Sequence, residues 1–458
     1  MTKLVSTNPS KAYENIGEVD ISSDVEIEKK VKLANNAKLG WKELGVKKRI
    51  ELLRPIYEEF KSRKNEFPLL MTKEMGKPIQ ESKSCYAGFL EEFKWFLDNG
   101  EKALKDEITF EDDKSLHKIV YEPWGVAAVI TPWNFPFGMF MWGTIPNLIA
   151  GNTVVFKISE ECSLTGKLIE KVMNSKNLPD RVFAEVYGDG KVGQKLTESD
   201  ISLIWFTGST KVGKSLYQIA SRKFIKVVLE MGGSSPGIVF EDVHVSDIIS
   251  EIYSARFYNC GQVCDAVKRV IVHESIFDEV VEKLKDEVEK KTIGDPTYPK
   301  TEIGSLVAKR QLDLLEIQVK DALDNGAKII TGAKKPQNLN GAFYEPTILT
   351  NIKKDMKVWK EEVFGPVLPI IAFKTEEEAI QLANDTPYGL GSKVFSTNIE
   401  RARRVASKIE AGTVEINHGS RWLPCNPFGG YKLSGMGREH GTIGFRELCQ
   451  IKVISESK

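Results

Sequence analysis

Val126-Ala-Ala-Val-Ile130 reads as a short apolar strand, and Thr153-Val-Val-Phe156, Val182-Phe-Ala-Glu-Val-Tyr187 and Ile201-Ser-Leu-Ile-Trp-Phe206 repeat the pattern downstream. The stretches between them carry helical spacing, as from Leu164 to Met173. Strands that are apolar at nearly every position are buried on both faces, and their alternation with helices predicts a parallel, doubly wound sheet. Such a sheet receives nucleotides at the carboxyl ends of its strands. Past Gly232 and Gly233 the alternation restarts with Gly237-Ile-Val-Phe240, Arg269-Val-Ile-Val-His273, Lys328-Ile-Ile330, Val367-Leu-Pro-Ile-Ile371, Lys393-Val-Phe395 and Thr413-Val-Glu-Ile416. The expectation is an α/β chain with two such units. Upstream, Ile50, Leu53, Tyr57 and Phe60 recur at near-helical spacing, with Pro55 expected to kink or start a segment, while Phe89, Phe93, Phe96 and Leu97 mark a second helix.

The chain has 458 residues, which implies two or three domains at roughly 100–200 residues each. Its 64 basic residues balance 64 acidic ones, so nothing calls for nucleic acid or an anionic membrane surface. No run approaches the ~18 apolar residues of a membrane span, and the opening Met1-Thr-Lys-Leu-Val-Ser6 lacks a signal-type core; a cytoplasmic protein is expected. The cysteines, Cys85, Cys162, Cys260, Cys264, Cys425 and Cys449, show no framework spacing and are read as reduced thiols. Cys260 and Cys264 are spaced C-x3-C with no second pair, so no metal site is expected. A cysteine hydrolase needs a histidine as base; His273, on the strand after Cys264, is the one the sequence offers.

Three stretches carry chemistry. Phe257-Tyr-Asn-Cys-Gly-Gln-Val-Cys264 ends in a cysteine just before a strand. In Val227-Val-Leu-Glu-Met-Gly-Gly233 an apolar run ends in a carboxylate, Glu230, a candidate general base. Val129-Ile-Thr-Pro-Trp-Asn-Phe-Pro136 puts the amide of Asn134 on a stiff loop, where it can donate to an oxyanion. Thiol, carboxylate and amide together suggest covalent catalysis on a carbonyl beside a nucleotide cofactor. Phe206-Thr-Gly-Ser-Thr-Lys-Val-Gly213 opens a helix whose Val212, Leu216, Ile219 and Ala220 share a face; Gly208 permits close approach, and free N–H groups at the helix start favour a pyrophosphate. By itself it reads equally as an ordinary turn. The G-x-G-x-x-G at Gly188–Gly193 is a weak signal, without an acidic ribose ligand ~20 residues on. Lys157 and Glu160, just past a strand, read by themselves as a solvated charge pair.

Taken together, Thr131-Pro-Trp-Asn-Phe-Pro136, Phe206-Thr-Gly-Ser-Thr210, Leu229-Glu-Met-Gly-Gly233, Gly261-Gln-Val-Cys264, Glu361-Glu-Val-Phe-Gly-Pro366 and Pro427-Phe-Gly-Gly-Tyr-Lys-Leu-Ser-Gly435 stand in one order. From about residue 10 to the C-terminal region the chain resembles the aldehyde dehydrogenase superfamily. That resemblance implies Cys264 as nucleophile, Glu230 as general base, and Asn134 with the Cys264 backbone N–H as oxyanion donors. It implies Lys157, Ser159 and Glu160 at the adenosine ribose, Thr131, Trp133, Gly208, Ser209, Gly213 and Gly232 along the dinucleotide, and Glu362 with Phe364 at the nicotinamide ribose. NAD is expected over NADP, because Glu160 would face a 2′-phosphate as a like charge.

The implied fold is a doubly wound cofactor-binding domain (1–104 and 124–232), a second α/β catalytic domain (233–439) and a small β oligomerisation arm (105–123 with 440–458). A homodimer or homotetramer is implied. The implied reaction turns an aldehyde into a free acid through a thiohemiacetal and a thioester. Its alternatives are a CoA-acylating enzyme, against which Glu230 argues, and a non-catalytic binding protein. The tunnel implied for the aldehyde is aromatic: Phe135, Trp142, Tyr258, Trp422 and Phe428. Uncharged aromatic or medium-chain aliphatic aldehydes are expected first, betaine aldehyde second and succinate semialdehyde third, the last depending on Arg421. Departures from the family pattern are Ile158 for a proline, Ser234 for a lysine, and Asp265 after the nucleophile, which would raise the thiol pKa if it faced the sulfur.

Overall fold

The computed structural model describes residues 2–176, 178–420 and 422–458. Its first sheet has parallel strands in the order Lys226–Glu230, Leu203–Thr207, Val126–Ile130, Thr153–Lys157 and Phe183–Glu185. Side chains along these strands alternate between two cores: Val126, Ala128 and Ile130 join Ile27, Val31, Leu216 and Ile219 on one face, while Ala127 and Val129 join the opposite layer. Chain order reverses between Val126–Ile130 and Leu203–Thr207, so the loops after these two strands flank the crevice where doubly wound sheets hold ligands. Those loops begin Thr131-Pro-Trp-Asn134 and Gly208-Ser209.

The helix Pro136–Ala150 fills the layer beneath, with all fifteen residues buried. Apolar on every side, it carries no amphipathic signature and was not legible as a helix. The helix Gly45–Ser62 runs unbroken through Pro55, contrary to the expected interruption. Pro55 lies on the exposed face, where water can satisfy the carbonyl left without a donor, while Leu53, Ile56, Tyr57 and Phe60 anchor the other side.

A second sheet runs Lys328–Thr331, Thr347–Thr350, Val367–Phe373, Val267–His273, Ser235–Val239, Lys393–Phe395 and Glu415–Ile416, parallel except at its first pair. Two strands from distant sequence complete the architecture. Gly435–Met436 pairs antiparallel with Lys226–Glu230, so the chain after the second unit returns to the first sheet. Cys449–Ser457 pairs with Ser115–Pro123, which pairs with Glu107–Glu111, giving a separate three-stranded antiparallel sheet. Of the segment 440–458, only this last strand joins it; the helix Gly441–Glu447 packs Phe445 edge-on to Phe96 in the first core.

Candidate active site

A cavity of about 800 Å3 opens between the two sheets. Its wall includes Cys264 and Asn134, the cofactor candidates Trp133, Gly208, Ser209, Gly232, Glu362 and Phe364, and the tunnel candidates Phe135, Trp142, Tyr258 and Trp422. Residues scattered over nearly 300 positions of sequence thus meet at one space.

The backbone around Cys264 is built to a tight tolerance. Asn259 and Cys260 take left-handed conformations at φ 53° and 56°, a strain of about 1–3 kcal/mol per residue. At Gly261 a Cβ would stand 2.3 Å from the Gly365 carbonyl oxygen, so only glycine lets the two loops touch. Arg256, wholly buried, ties them together: it donates to the carbonyls of Val367 at 2.9 Å, Val363 at 3.1 Å and Gly261 at 3.4 Å, and to Gly365. The second glycine motif serves the same end. A Cβ at Gly232 would lie 2.2 Å from the Glu362 carboxylate, and one at Gly233 would lie 2.7 Å from the Cys264 carbonyl.

Burial raises the Cys264 thiol pKa well above its ordinary value, and the Asp265 carboxylate raises it further. Lys268 opposes both. Its buried ammonium donates to the carbonyls of Cys264 at 2.6 Å and Gly233 at 2.7 Å, and to Glu362 at 2.6 Å. The reading of the motifs passed over Lys268; the available signal was a cation four residues beyond the nucleophile and just inside the strand Val267–His273. Since Asp265 acts on the thiol, Asp265→Asn is expected to shift the alkaline rise of acylation rate downward by up to roughly one pH unit. Iodoacetamide trapping of Cys264 across pH 6–10 measures this directly, and an unmoved profile would mean that Asp265 does not act on the sulfur.

Asn134 is held from both ends. Its side-chain amide donates to the Gln262 carbonyl at 3.1 Å, tying it to the segment that leads into Cys264. Its own carbonyl accepts from Lys77 and from Asn259, each at 3.1 Å. Glu230 sits differently: its carboxylate is buried outside the cavity wall, beside Gly429. Burial raises its pKa strongly and the neighbouring Glu439 carboxylate adds to the shift, while Arg438 opposes. Glu439 is an acid that the sequence reading missed, although it lies four residues past the last glycine-rich motif, which ends at Gly435. His273, the histidine a hydrolase would need, bonds Ser275 and packs on Phe373, well integrated into the second unit.

On the cofactor side, Ser209 caps the helix Thr210–Lys223 by accepting from Val212 N–H at 3.4 Å. Val212 itself is half-exposed, apart from the face of Leu216, Ile219 and Ala220 that it was expected to share. Gly213 meets Met231 rather than open space, since a Cβ there would be 2.2 Å from the Met231 sulfur; its smallness serves packing. Lys157 is buried and lies 4.0 Å from Glu160, which is only partly exposed and also approached by Arg310 at 4.0 Å. Thr131 donates its N–H to the Lys157 carbonyl at 3.0 Å, and its buried hydroxyl has no protein partner. A helix start with unpaired N–H groups, an orphaned hydroxyl and a lysine–glutamate pair at adjacent strand ends suit a dinucleotide's phosphates and ribose. Among the described residues no His, Cys, Asp and Glu side chains are grouped to hold a metal ion.

On the aldehyde side, Phe135 stacks with Tyr258 at 6.3 Å and Trp142 with Trp422 at 5.9 Å between ring centroids. Phe428, also expected at the tunnel, is buried against Trp142 and Trp422, at 6.1 and 5.5 Å between ring centroids, and is not among the residues lining the cavity. Arg421 lies outside the described residues. Acids the sequence reading overlooked also face this end: Glu92, Glu251 and Glu415. Glu92 accepts from Trp142 Nε1–H at 2.5 Å, and burial pushes its pKa up to about 7. Glu251 and Glu415 share Lys393, at 2.5 and 2.6 Å.

Comparison with known proteins agrees with this arrangement of a nucleotide-binding sheet, a cavity thiol and an amide donor. The model of the aldehyde dehydrogenase family matches residues 2–454. A betaine aldehyde dehydrogenase of Bacillus subtilis is 37% identical over 419 residues, covering 90% of this chain and 86% of its own. A crystal structure of betaine aldehyde dehydrogenase from Staphylococcus aureus in complex with NAD+ superposes with a TM-score of 0.95 at 33% identity, over 99% of this chain and 91% of that one. An NADP-dependent enzyme of E. coli superposes with a TM-score of 0.96 at 32% identity, over 100% and 95%. The chain belongs to the aldehyde dehydrogenase family. It is an NAD(P)-dependent oxidoreductase acting on small aldehydes, in a family whose members typically form oligomers. No helix among the described residues is long and apolar enough to cross a membrane.

Proposed function

We propose that the chain oxidises an aldehyde to the free carboxylic acid, with Cys264 as nucleophile, Asn134 and the Cys264 backbone N–H as oxyanion donors and Glu230 as the base for hydrolysis. The observation that carries this reading is the shared cavity, in which Cys264 and Asn134 meet both Glu362 with Phe364 and the aromatic wall. The Cys264 thiolate attacks the aldehyde carbon, and the oxyanion of the thiohemiacetal is held by the two donors. A bound NAD(P)+ supplies the hydride acceptor for its oxidation to the thioester. Trp133, Lys157, Ser159, Glu160, Ser209, Glu362 and Phe364 would hold that cofactor. Glu230 then turns from its place beside Glu439 toward the thioester and takes a proton from water, which releases the acid. The division into a cofactor unit, a catalytic unit and an arm belongs to the same proposal, as does a homodimer or homotetramer formed through the arm, whose sheet exposes Ile108, Phe110, Ile451 and Val453. NADH formation from an aldehyde panel, with and without CoA, tests it; activity that requires CoA would overturn the hydrolytic step.

For the substrate, the aromatic wall supports uncharged aromatic or medium-chain aliphatic aldehydes, which pack or stack on such faces. A second reading rests on the acids Glu92, Glu251 and Glu415 at that wall, balanced by Lys393: with tryptophan faces they suit a quaternary ammonium, as in betaine aldehyde, by ~0.5–2 kcal/mol of cation–π attraction. Both readings disfavour succinate semialdehyde. The expected order of kcat/KM is benzaldehyde or hexanal, then betaine aldehyde, then succinate semialdehyde; a lead for the semialdehyde would reverse the electrostatic argument.

For the cofactor, NAD is expected to exceed NADP in kcat/KM, because a 2′-phosphate would meet Glu160 as a like charge. Lys157 and Arg310, both near that carboxylate, keep the preference moderate, roughly ten-fold. Steady-state kinetics with each dinucleotide measures it, and a higher kcat/KM with NADP would overturn the assignment.

A further inference from the structure

Beneath the Asn134 loop lies a lysine that the proposed chemistry does not use. Lys77 is 1% exposed and has no carboxylate within ion-pair distance among the described residues. Its amine donates to the Asn134 carbonyl at 3.1 Å, sits 3.8 Å from the Phe135 ring centroid and lies 3.9 Å from the sulfur of Cys85. Cys85 belongs to the wall of the active-site cavity, so a small oxidant that enters the cavity reaches its sulfur. Eight residues separate the two along the chain, and the lysine precedes the helix Ile79–Ala103 that carries the cysteine. The helix thereby fixes the thiol against the amine. Burial, which outweighs the opposing influence of Cys85 and Glu81, also lowers the pKa of the amine and favours its neutral, nucleophilic form.

We propose that Lys77 and Cys85 form an oxidation-dependent covalent crosslink that releases the Asn134 loop from its support. Burial raises the Cys85 thiol pKa and Lys77 opposes it; peroxide transfers one oxygen to the sulfur of this thiol, giving a sulfenic acid as the peroxide is reduced to water. The Lys77 amine attacks that sulfur, an S–N bond forms, the S–O bond breaks, and hydroxide leaves as water with the proton lost from nitrogen. A second peroxide inserts one oxygen between sulfur and nitrogen, again leaving water. Two equivalents of an added thiol restore thiol and amine from the S–N form and leave as their own disulfide. In the crosslinked state the nitrogen is drawn to sulfur, and the Asn134 carbonyl keeps only Asn259 as donor.

Mass spectrometry of the full-length protein after millimolar hydrogen peroxide tests this. Trypsin separates residues 74–83 from 84–94, because Lys77 precedes Pro78 and is not cut. The expected product joins these two peptides, about 2 Da below their summed mass, or about 14 Da above it with the inserted oxygen, and dithiothreitol separates the S–N form. Lys77→Arg and Cys85→Ser should each abolish the joined species. Peptides that remain unjoined, with Cys85 unmodified or carried to sulfinic acid, overturn the proposal. This readout is independent of any catalytic role. The consequence for turnover does rest on the proposed role of Asn134: peroxide should remove at least about two-fold more dithiothreitol-recoverable activity from the wild type than from Cys85→Ser. Equal losses, with the peptides joined, would leave the crosslink standing and place the fault in the reading of Asn134.

Discussion

Cys264→Ala is expected to lower aldehyde turnover by on the order of 10^4-fold or more while NAD+ binding stays within about two-fold of wild type. The reason is spatial. The substitution removes the atom that captures the aldehyde but leaves Lys268 bonded to the Gly233 carbonyl and to Glu362, so the wall proposed for the nicotinamide ribose keeps its shape. Alanine also tolerates the backbone at this turn. Cys260→Ala provides the contrast, since that sulfur is buried in packing and most activity should survive. Steady-state kinetics with a fluorescence titration of NAD+ separates the outcomes, and wild-type turnover by Cys264→Ala would falsify the covalent mechanism.

Glu230→Gln should produce a stoichiometric burst of NADH followed by a steady state slowed by roughly 10^2–10^4-fold, because only thioester hydrolysis needs the activated water. Intact mass should then show the acyl adduct on the protein. The pH dependence follows from the surroundings of the carboxylate. Its pKa is raised by burial and by Glu439, so the working, ionised form accumulates only as pH rises, and hydrolysis in the wild type should quicken toward alkaline pH. Because the two acids act as a pair, the inflection belongs to both. Replacing Glu439 with glutamine removes the like charge and should move that inflection to lower pH. A variant at Glu230 with neither burst nor adduct would assign this carboxylate to acylation or to folding.

Part of this arrangement is legible in the sequence. Val126–Ile130 begins and ends where its apolar run does, because a strand buried on both faces needs apolar residues throughout, and that demand is written locally. Ser209 before the helix Thr210–Lys223 is likewise a local signal, a hydroxyl where unpaired N–H groups need an acceptor. The helix Pro136–Ala150 escaped, since a helix buried on every side has no periodic face.

The sequence by itself determined the parallel α/β architecture, the family and the chemical types present: thiol, carboxylate, amide and glycine-rich turns in a fixed order. Only the tertiary structure decided what each group feels. Lys268 and Asp265 pull the Cys264 thiol in opposite directions, Glu439 stands by Glu230 from 209 residues away, Phe428 packs against Trp142, and Lys77 meets both Asn134 and Cys85. Backbone conformation and burial of apolar runs follow from neighbours in sequence. Electrostatic shifts and close contacts depend on distances of a few ångströms between segments far apart in the chain, and those distances exist only once the two sheets have packed together.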